Sequence, residues 1–152
     1  MKREISSVQQ MLEFGEALGA VLGGGEVIEL VGDIGAGKTT LTKGIARGLG
    51  IDEDVQSPTF TISRVYGARD GLELAHYDFY RLSDPGVLRM EVDQTAHDAR
   101  TVTIIEWGGI VKGVLPDDRL KITITSPSET TRHLEVEASG PLSQKALGVF
   151  IQ

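Results

Sequence analysis

The chain has 152 residues, of which 40% are hydrophobic and 24% charged, the balance of an ordinary globular protein. Its net charge of -7 disfavours a broad basic surface for nucleic acid, and the lack of cysteine excludes disulfides and zinc–thiolate sites. The sequence has no apolar run near the ~18 residues that a membrane-spanning helix needs, and its first residues have no apolar signal core. We therefore expect one cytoplasmic domain over residues 1–152 without membrane contact.

The first half of the chain predicts two helices around one strand. A capping-box pattern at Ser7 and Gln10 predicts the start of a helix, whose apolar residues recur at helical spacing until the glycines at 23–25. Residues 27–31 (VIELV) are short and rich in β-branched side chains, which predicts a buried strand. After a glycine-rich turn, a second helix is expected to begin near Lys38.

The second half of the chain contains strand-like segments. Helices that alternate with strands and are followed by hairpins predict an α/β fold, a mixed sheet flanked by helices with a C-terminal β-hairpin. The predicted strands are residues 60–66, 72–77, 102–105, 120–125 and 134–138.

Residues 32–39 read GDIGAGKT and match the pattern G-x-x-x-x-G-K-[ST]. The glycines allow the backbone to turn so that successive N–H groups face phosphate oxygens, and the helix that follows adds unpaired N–H groups and the positive end of its dipole. Lys38 would place a mobile charge on the outer phosphates, and the Thr39 hydroxyl can ligate Mg²⁺. Because the pattern follows a predicted buried strand and opens a helix, we expect a P-loop NTPase fold that binds a Mg-nucleotide.

Two carboxylates follow predicted strands, where a second anchor for Mg²⁺ is expected. Glu106 is the expected metal ligand, and the alternative is a solvated loop carboxylate. Asp78 could hold the metal shell or orient an attacking water, or else be a helix N-cap or pair with Arg81. The segment 57–59 (Ser-Pro-Thr) is typical of a switch that senses the γ-phosphate, or of an ordinary turn.

The histidines and the single tryptophan give weaker signals. Three histidines, at positions 76, 97 and 133, lack metal-ligand spacing. We expect His76 to be structural or a hydrogen-bonding neighbour of the site. Trp107 is expected to pack against the protein rather than to stack on a base.

Four sequence blocks occur in a fixed order along the chain. They are residues 32–40 (GDIGAGKTT), 57–61 (SPTFT), 76–82 (HYDFYRL) and 105–107 (IEW). Together they are similar to the TsaE family, the ATPase subunit of the bacterial tRNA threonylcarbamoyladenosine machinery. The resemblance covers about residues 25–132, and four blocks in order are far more specific than one.

The resemblance implies a cytoplasmic ATPase that binds ATP and Mg²⁺ and works with the TsaD and TsaB proteins. These place a threonylcarbamoyl group on the adenosine beside the tRNA anticodon, so this chain would meet tRNA only indirectly and would reset or drive the assembly. By similarity Lys38, Asp78 and Glu106 are expected to be catalytic, and Thr39 and Glu106 to ligate Mg²⁺. The expected nucleotide-binding residues are Asp33, Gly35, Ala36, Gly37, Lys38, Thr39, Thr40, Thr59 and Arg132.

Two positions depart from the family's pattern, and two other functions stay open. Met11 stands where the family usually has a threonine near the adenine, and Gly109 where it often has an acidic residue. A small-molecule kinase shares the phosphate loop, but the scattered arginines form no compact lid segment. A GTPase would carry a guanine-reading motif, which the sequence lacks. A nucleotide-gated binding module with little turnover of its own also fits.

Overall fold

The computed structural model of the chain describes residues 1–33, 35–58, 62–80, 82–84 and 86–152. Within these ranges the chain forms seven strands and four α-helices. In chain order they are β1 Lys2–Ile5, α1 Val8–Val21, β2 Val27–Val31, α2 Lys38–Gly48, β3 Ser63–Gly67, β4 Glu73–Asp78, α3 Leu88–Ala96, β5 Thr101–Glu106, β6 Leu120–Thr125, β7 Arg132–Ala138 and α4 Pro141–Phe150.

The seven strands form one sheet in the order β1-β7-β6-β2-β5-β4-β3. The central strands β6, β2, β5 and β4 run parallel, whereas β3, β7 and β1 are each antiparallel to their neighbour. Parallel neighbours need crossover connections, which place helices on the faces of the sheet. The predicted α/β fold with a mixed sheet and a C-terminal hairpin, here β6 and β7, is therefore confirmed.

One face of the sheet carries α1, α2 and α4 over the larger hydrophobic core. Leu18 of α1 and Leu41 and Ile45 of α2 are fully buried there. The two helices approach so closely that a Cβ built on Gly19 would lie 2.2 Å from the carbonyl oxygen of Ile45, and one on Gly48 2.2 Å from that of Glu16. Helix α2 begins within the phosphate-loop motif, and close backbone contact with α1 holds it in place.

The opposite face carries α3 and a short 3₁₀ segment, Gly108–Val111, over a smaller core. The hydroxyl of Tyr77 in β4 donates to Glu91 of α3 at 3.1 Å and so ties this helix to the sheet. Burial raises the pKa of Tyr77 to about 12, which keeps the hydroxyl protonated as a donor. None of the described helices is long and apolar enough to cross a membrane.

Several predicted elements are confirmed, and three observed ones had not been predicted. Strand β2 has the predicted bounds, and the Ser7 hydroxyl caps α1 by accepting from the Gln10 backbone N–H at 3.1 Å. The Gln10 side chain, however, accepts from the backbone N–H of Ser6 at 2.8 Å, so the capping box is displaced by one residue. The predicted strand 60–66 begins at Ser63 within the described residues. The elements not predicted are β1, α3 and α4.

Candidate nucleotide-binding site

Three parallel strands end side by side at one edge of the sheet. Glu106, the last residue of β5, is in register with Asp78, the last residue of β4, and with Leu30 near the end of β2. Beyond β2 the chain enters the glycine loop, residues 32–37, of which Ile34 lies outside the described residues. Because β5 lies between β2 and β4, this order brings both carboxylates to the mouth of the glycine loop.

The glycine loop has a backbone that glycine favours. Gly35 and Gly37 have φ angles of 80° and 111°, in the left-handed region that a side chain disfavours. A Cβ on Gly37 would also lie 3.1 Å from Cε of Met11, so α1 packs against the loop. Helix α2 begins at Lys38, and among the described residues no side chain caps its first N–H groups. These N–H groups and the helix dipole favour an anion at this position.

The Lys38 side chain lies inside the loop. The residue is 7% exposed, its Nζ donates to the Gly32 carbonyl oxygen at 2.6 Å, and Nζ lies 4.3 Å from the centre of the Trp107 ring. A hydrogen bond and a cation–π contact therefore hold the ammonium group. The expectation that Lys38 moves onto the outer phosphates stays a prediction, and the contacts with Gly32 and Trp107 describe the lysine without a nucleotide.

The two carboxylates are buried and already hydrogen-bonded. Glu106 is 3% exposed, and its Oε2 lies 2.6 Å from Nε2 of His76. Asp78 is 7% exposed; its Oδ1 accepts from the Tyr80 backbone N–H at 3.0 Å and its Oδ2 from the Ser57 hydroxyl at 3.3 Å. The alternative that Glu106 is a solvated loop carboxylate is wrong. Among the described residues Asp78 starts no helix, so it is not an N-cap; it accepts from a backbone N–H two residues later in a turn. Its pairing with Arg81 lies outside the described residues.

A cavity of ≈ 460 Å³ joins these groups. It contains one cationic group, Lys38, and two carboxylates, and among the described residues no arginine lines it. A cavity of this size is in the range of small-ligand sites. The lining residues are Gly35, Gly37, Lys38, Thr39, Thr40, Ser57, Asp78, Tyr80, Glu106 and Trp107.

A second cavity, of ≈ 340 Å³, lies on the other side of the glycine loop and shares Gly35, Gly37 and Thr40 with the first. Met11, which is 3% exposed, lines it together with other apolar residues of β1 and α1. Arg132 lines it as well, and its Nε donates to the Ala36 carbonyl oxygen at 3.1 Å. The glycine loop therefore separates the cavity lined by Lys38, Asp78 and Glu106 from a cavity beside α1 that Met11 and Arg132 line.

The predicted site residues are thus distributed over neighbouring cavities. Asp33 lines a third cavity, of ≈ 340 Å³, that also touches Lys38 and Trp107, and Thr59 lies outside the described residues. All other predicted residues line the first or second cavity: Gly35, Ala36, Gly37, Lys38, Thr39, Thr40, Asp78, Glu106 and Arg132.

Sequence reasoning missed several contacts of the site. Trp107 packs against Tyr80, with the two ring centres 5.0 Å apart, but it is 39% exposed and lines the first cavity. The backbone of Trp107 has a φ of 57°, unusual for a large side chain and typical of functional positions. The sequence could have indicated this position of Trp107, because the residue directly follows Glu106, a predicted site residue. The prediction that His76 is a hydrogen-bonding neighbour of the site is confirmed.

Comparison with known proteins gives a consistent result. The sequence model of the family described as threonylcarbamoyl adenosine biosynthesis protein TsaE matches residues 5–134. The tRNA threonylcarbamoyladenosine biosynthesis protein TsaE of Bacillus subtilis is 43% identical over 117 residues, which cover 76% of this chain and 72% of the relative. The protein of the same name from Streptomyces coelicolor is 40% identical over 136 residues, 86% of this chain and 91% of the relative. The crystal structure of Bacillus subtilis YdiB superposes with a TM-score of 0.82 at 32% identity and covers 99% of this chain and 93% of that one.

Proposed function

Because the chain belongs to the TsaE family, we propose that it is an ATPase that binds Mg-ATP at the glycine loop and supports the synthesis of threonylcarbamoyladenosine in tRNA. One observation carries the proposal. The Lys38 ammonium, the start of α2 and the carboxylates of Asp78 and Glu106 converge on one cavity of ≈ 460 Å³. A cation and helix N–H groups opposite buried carboxylates suit a phosphate chain with its metal ion.

The glycine loop and its two cavities suggest how a nucleotide lies. The phosphates would contact the N–H groups of the glycine loop, and Lys38 would exchange its contact with the Gly32 carbonyl for a phosphate oxygen. The nucleoside would then extend into the second cavity, beside Met11 and Arg132. A buried methionine offers an apolar surface to a purine ring where the family usually has a threonine hydroxyl.

The residues at the strand ends fit a magnesium ion. The Thr39 hydroxyl, in the first turn of α2, and the Glu106 carboxylate both line the first cavity and would hold Mg²⁺. Within the described part of the chain, no group of three or more His, Cys, Asp or Glu could hold a metal by itself. Mg²⁺ commonly takes one or two carboxylates and completes its shell with phosphates and water, so this small ligand set is sufficient. When bound, Mg²⁺ neutralises charge on the phosphoryl oxygens.

Asp78 suits a different role from Glu106. Its two oxygens accept hydrogen bonds from the Tyr80 backbone and from Ser57, so the carboxylate is fixed between β4 and the segment predicted to be a switch. We propose that Asp78 orients the attacking water and senses the position of Ser57. Residues 59–61 of the same sequence block lie outside the described residues. An Asn at this position would keep the turn and lose the negative charge.

The charge of the site suggests that hydrolysis depends on partners. Among the described residues no arginine lines the first cavity, yet an arginine supplied to the transferred phosphoryl can raise the rate ~10³–10⁵-fold. We propose that the protein acts in the cytoplasm and that, without its partners, it hydrolyses ATP slowly. Docking on the TsaD–TsaB assembly would reposition Ser57 against Asp78 or supply the missing positive charge.

The test is steady-state ATP hydrolysis by the protein alone and with saturating TsaD–TsaB assembly. Slow turnover that the assembly raises supports the proposal. The Asp78→Asn variant should bind Mg-ATP nearly as the wild type does and remain unstimulated. Absence of Mg-ATP binding by the wild type would contradict the ATPase assignment itself. Fast turnover that the assembly leaves unchanged would contradict partner activation. It would favour a kinase that phosphorylates a metabolite, which phosphorylation assays would then test.

A further inference from the structure

His76 lies beneath the carboxylates of the proposed site. It precedes Asp78 by two residues in β4 and is fully buried, at 0% exposure. Its Nε2 lies 2.6 Å from Oε2 of Glu106, the last residue of the neighbouring strand β5. A carboxylate that ligates Mg²⁺ is ionised and can only accept, so the ring nitrogen would be the donor in the metal-bound site. The imidazole of one strand thus holds the carboxylate of the next.

Packing against its neighbours does not account for a histidine at position 76. Leu74, two residues earlier in β4, and Ile104, its register partner in β5, are both fully buried and apolar. Among the described residues the other ring nitrogen, Nδ1, has no hydrogen-bond partner. A buried polar atom without a partner is unfavourable for stability, so an apolar side chain would suit the fold better. The contact with Glu106 is therefore the feature that accounts for a histidine here.

We propose that His76 is a positioning residue for the metal-ligating carboxylate of Glu106. A hydrogen bond to Oε2 restricts rotation of the carboxylate and so fixes the direction of the oxygen lone pairs that would ligate Mg²⁺. Ligating carboxylates are commonly held in this way by a second group, and loss of that group typically weakens metal binding. This inference rests on the proposed function, since it assigns a supporting residue to the same site.

The experiment measures how strongly Mg²⁺ assists nucleotide binding. ADP affinity is determined by calorimetry in Mg²⁺ and again in EDTA, and the ratio of the two affinities reports metal binding without turnover. His76→Phe keeps an aromatic ring and removes the donor, so the ratio should fall about tenfold, as in Glu106→Gln, with the EDTA affinity little changed. His76→Gln, whose amide N–H can reach the carboxylate, should restore most of the ratio, whereas the shorter His76→Asn should not.

A control separates positioning from general loosening of the fold. Leu74→Ala removes a fully buried side chain from the same face of β4, so it should lower the melting temperature and leave the ratio unchanged. Glu106→Gln is the reference and should lower the ratio. If it does and His76→Phe leaves the ratio unchanged, the inference is overturned. If His76→Phe does not fold, an unchanged ratio in His76→Asn overturns the inference in the same way. A wild type whose ADP binding ignores Mg²⁺ would overturn the magnesium site of the proposed function and the inference with it.

Discussion

The interface between α1 and α2 lies next to the strand-end site, but the two regions differ in the groups that they bury. Where the two helices meet, glycines bring their backbones together, and a Cβ on Gly19 or Gly48 would lie 2.2 Å from a carbonyl oxygen. At the strand ends, the side chains of three ionisable residues, Lys38, Asp78 and Glu106, are 7% exposed or less. One region consists of close apolar contact, the other of buried charge.

The first region contributes to the stability of the fold, whereas the second contributes to the proposed function. Dense apolar packing contributes most of the favourable free energy of folding, whereas burial of charge opposes it unless the charges are paired. The regions are nevertheless coupled, because α2 begins with Lys38 and Met11 of α1 touches the glycine loop. The helix pair therefore holds in place the start of α2, which contributes Lys38 to the site.

The largest effect is expected from Gly19→Ala. The added Cβ would meet the Ile45 carbonyl oxygen at 2.2 Å, and backbone on both sides leaves little room to relax, so we expect a loss of about 3 kcal/mol in the free energy of unfolding. Urea denaturation measures it. The matched control is Gly148→Ala, also in a helix, where the added Cβ meets nothing within 4 Å. That variant should gain roughly 0.5–1 kcal/mol, and similar stabilities for the two variants would contradict the close packing of α1 on α2.

The next effect is expected at the site itself, in binding rather than stability. Lys38→Ala removes the cation opposite the phosphates and should weaken Mg-ATP binding by ~1.5–3 kcal/mol, measured by calorimetry. Its melting temperature without nucleotide should change little, because loss of the Gly32 and Trp107 contacts is offset by removal of a buried charge. Lys43→Ala, in the same helix, should match the wild type in both measurements. Unchanged ATP affinity in Lys38→Ala would refute the phosphate-binding role of the loop.

The smallest effect concerns Asp118, which stabilises the helical face from outside both regions. Its carboxylate accepts the backbone N–H groups of Leu142 at 2.7 Å and Ser143 at 2.9 Å and so caps α4. Burial opposes the shift, but hydrogen bonds from Ser143 and Leu142 hold the pKa of Asp118 below its ordinary value of 3.8. The capped carboxylate therefore contributes stability that is fully present above about pH 4 and is lost as the pH falls through the lowered pKa.

Asp118→Asn tests this cap. The variant keeps an acceptor oxygen but loses the negative charge at the start of α4, so it should be less stable than the wild type by ~0.3–1 kcal/mol at pH 7. The difference should shrink below pH 4, where the wild type loses its charge. Urea denaturation over a pH series measures both effects. The neighbouring exposed Asp117 supplies the control, since Asp117→Asn should leave the profile unchanged. A difference that persists at low pH would show that shape rather than charge forms the cap.

The sequence alone determined those parts of the molecule that depend on neighbouring residues. Strand β2, the glycine loop and the start of α2 were readable because apolar runs, glycines and a helix start follow one another within residues 27–40. Asp78 and Glu106 were recognisable because each stands at the end of an apolar strand. Strand β1 was not recognisable, since only one of its four residues is buried and its strand form depends on pairing with β7.

Only the tertiary structure decided which of these residues meet. The order β2-β5-β4 joins strands that are far apart in sequence, and it alone brings His76 to Glu106 and Trp107 over Lys38. The contact of Arg132 with the Ala36 carbonyl likewise spans 96 positions of the chain. Local patterns carry no information about strand order, because pairing is chosen by the packing of whole faces rather than by any one segment.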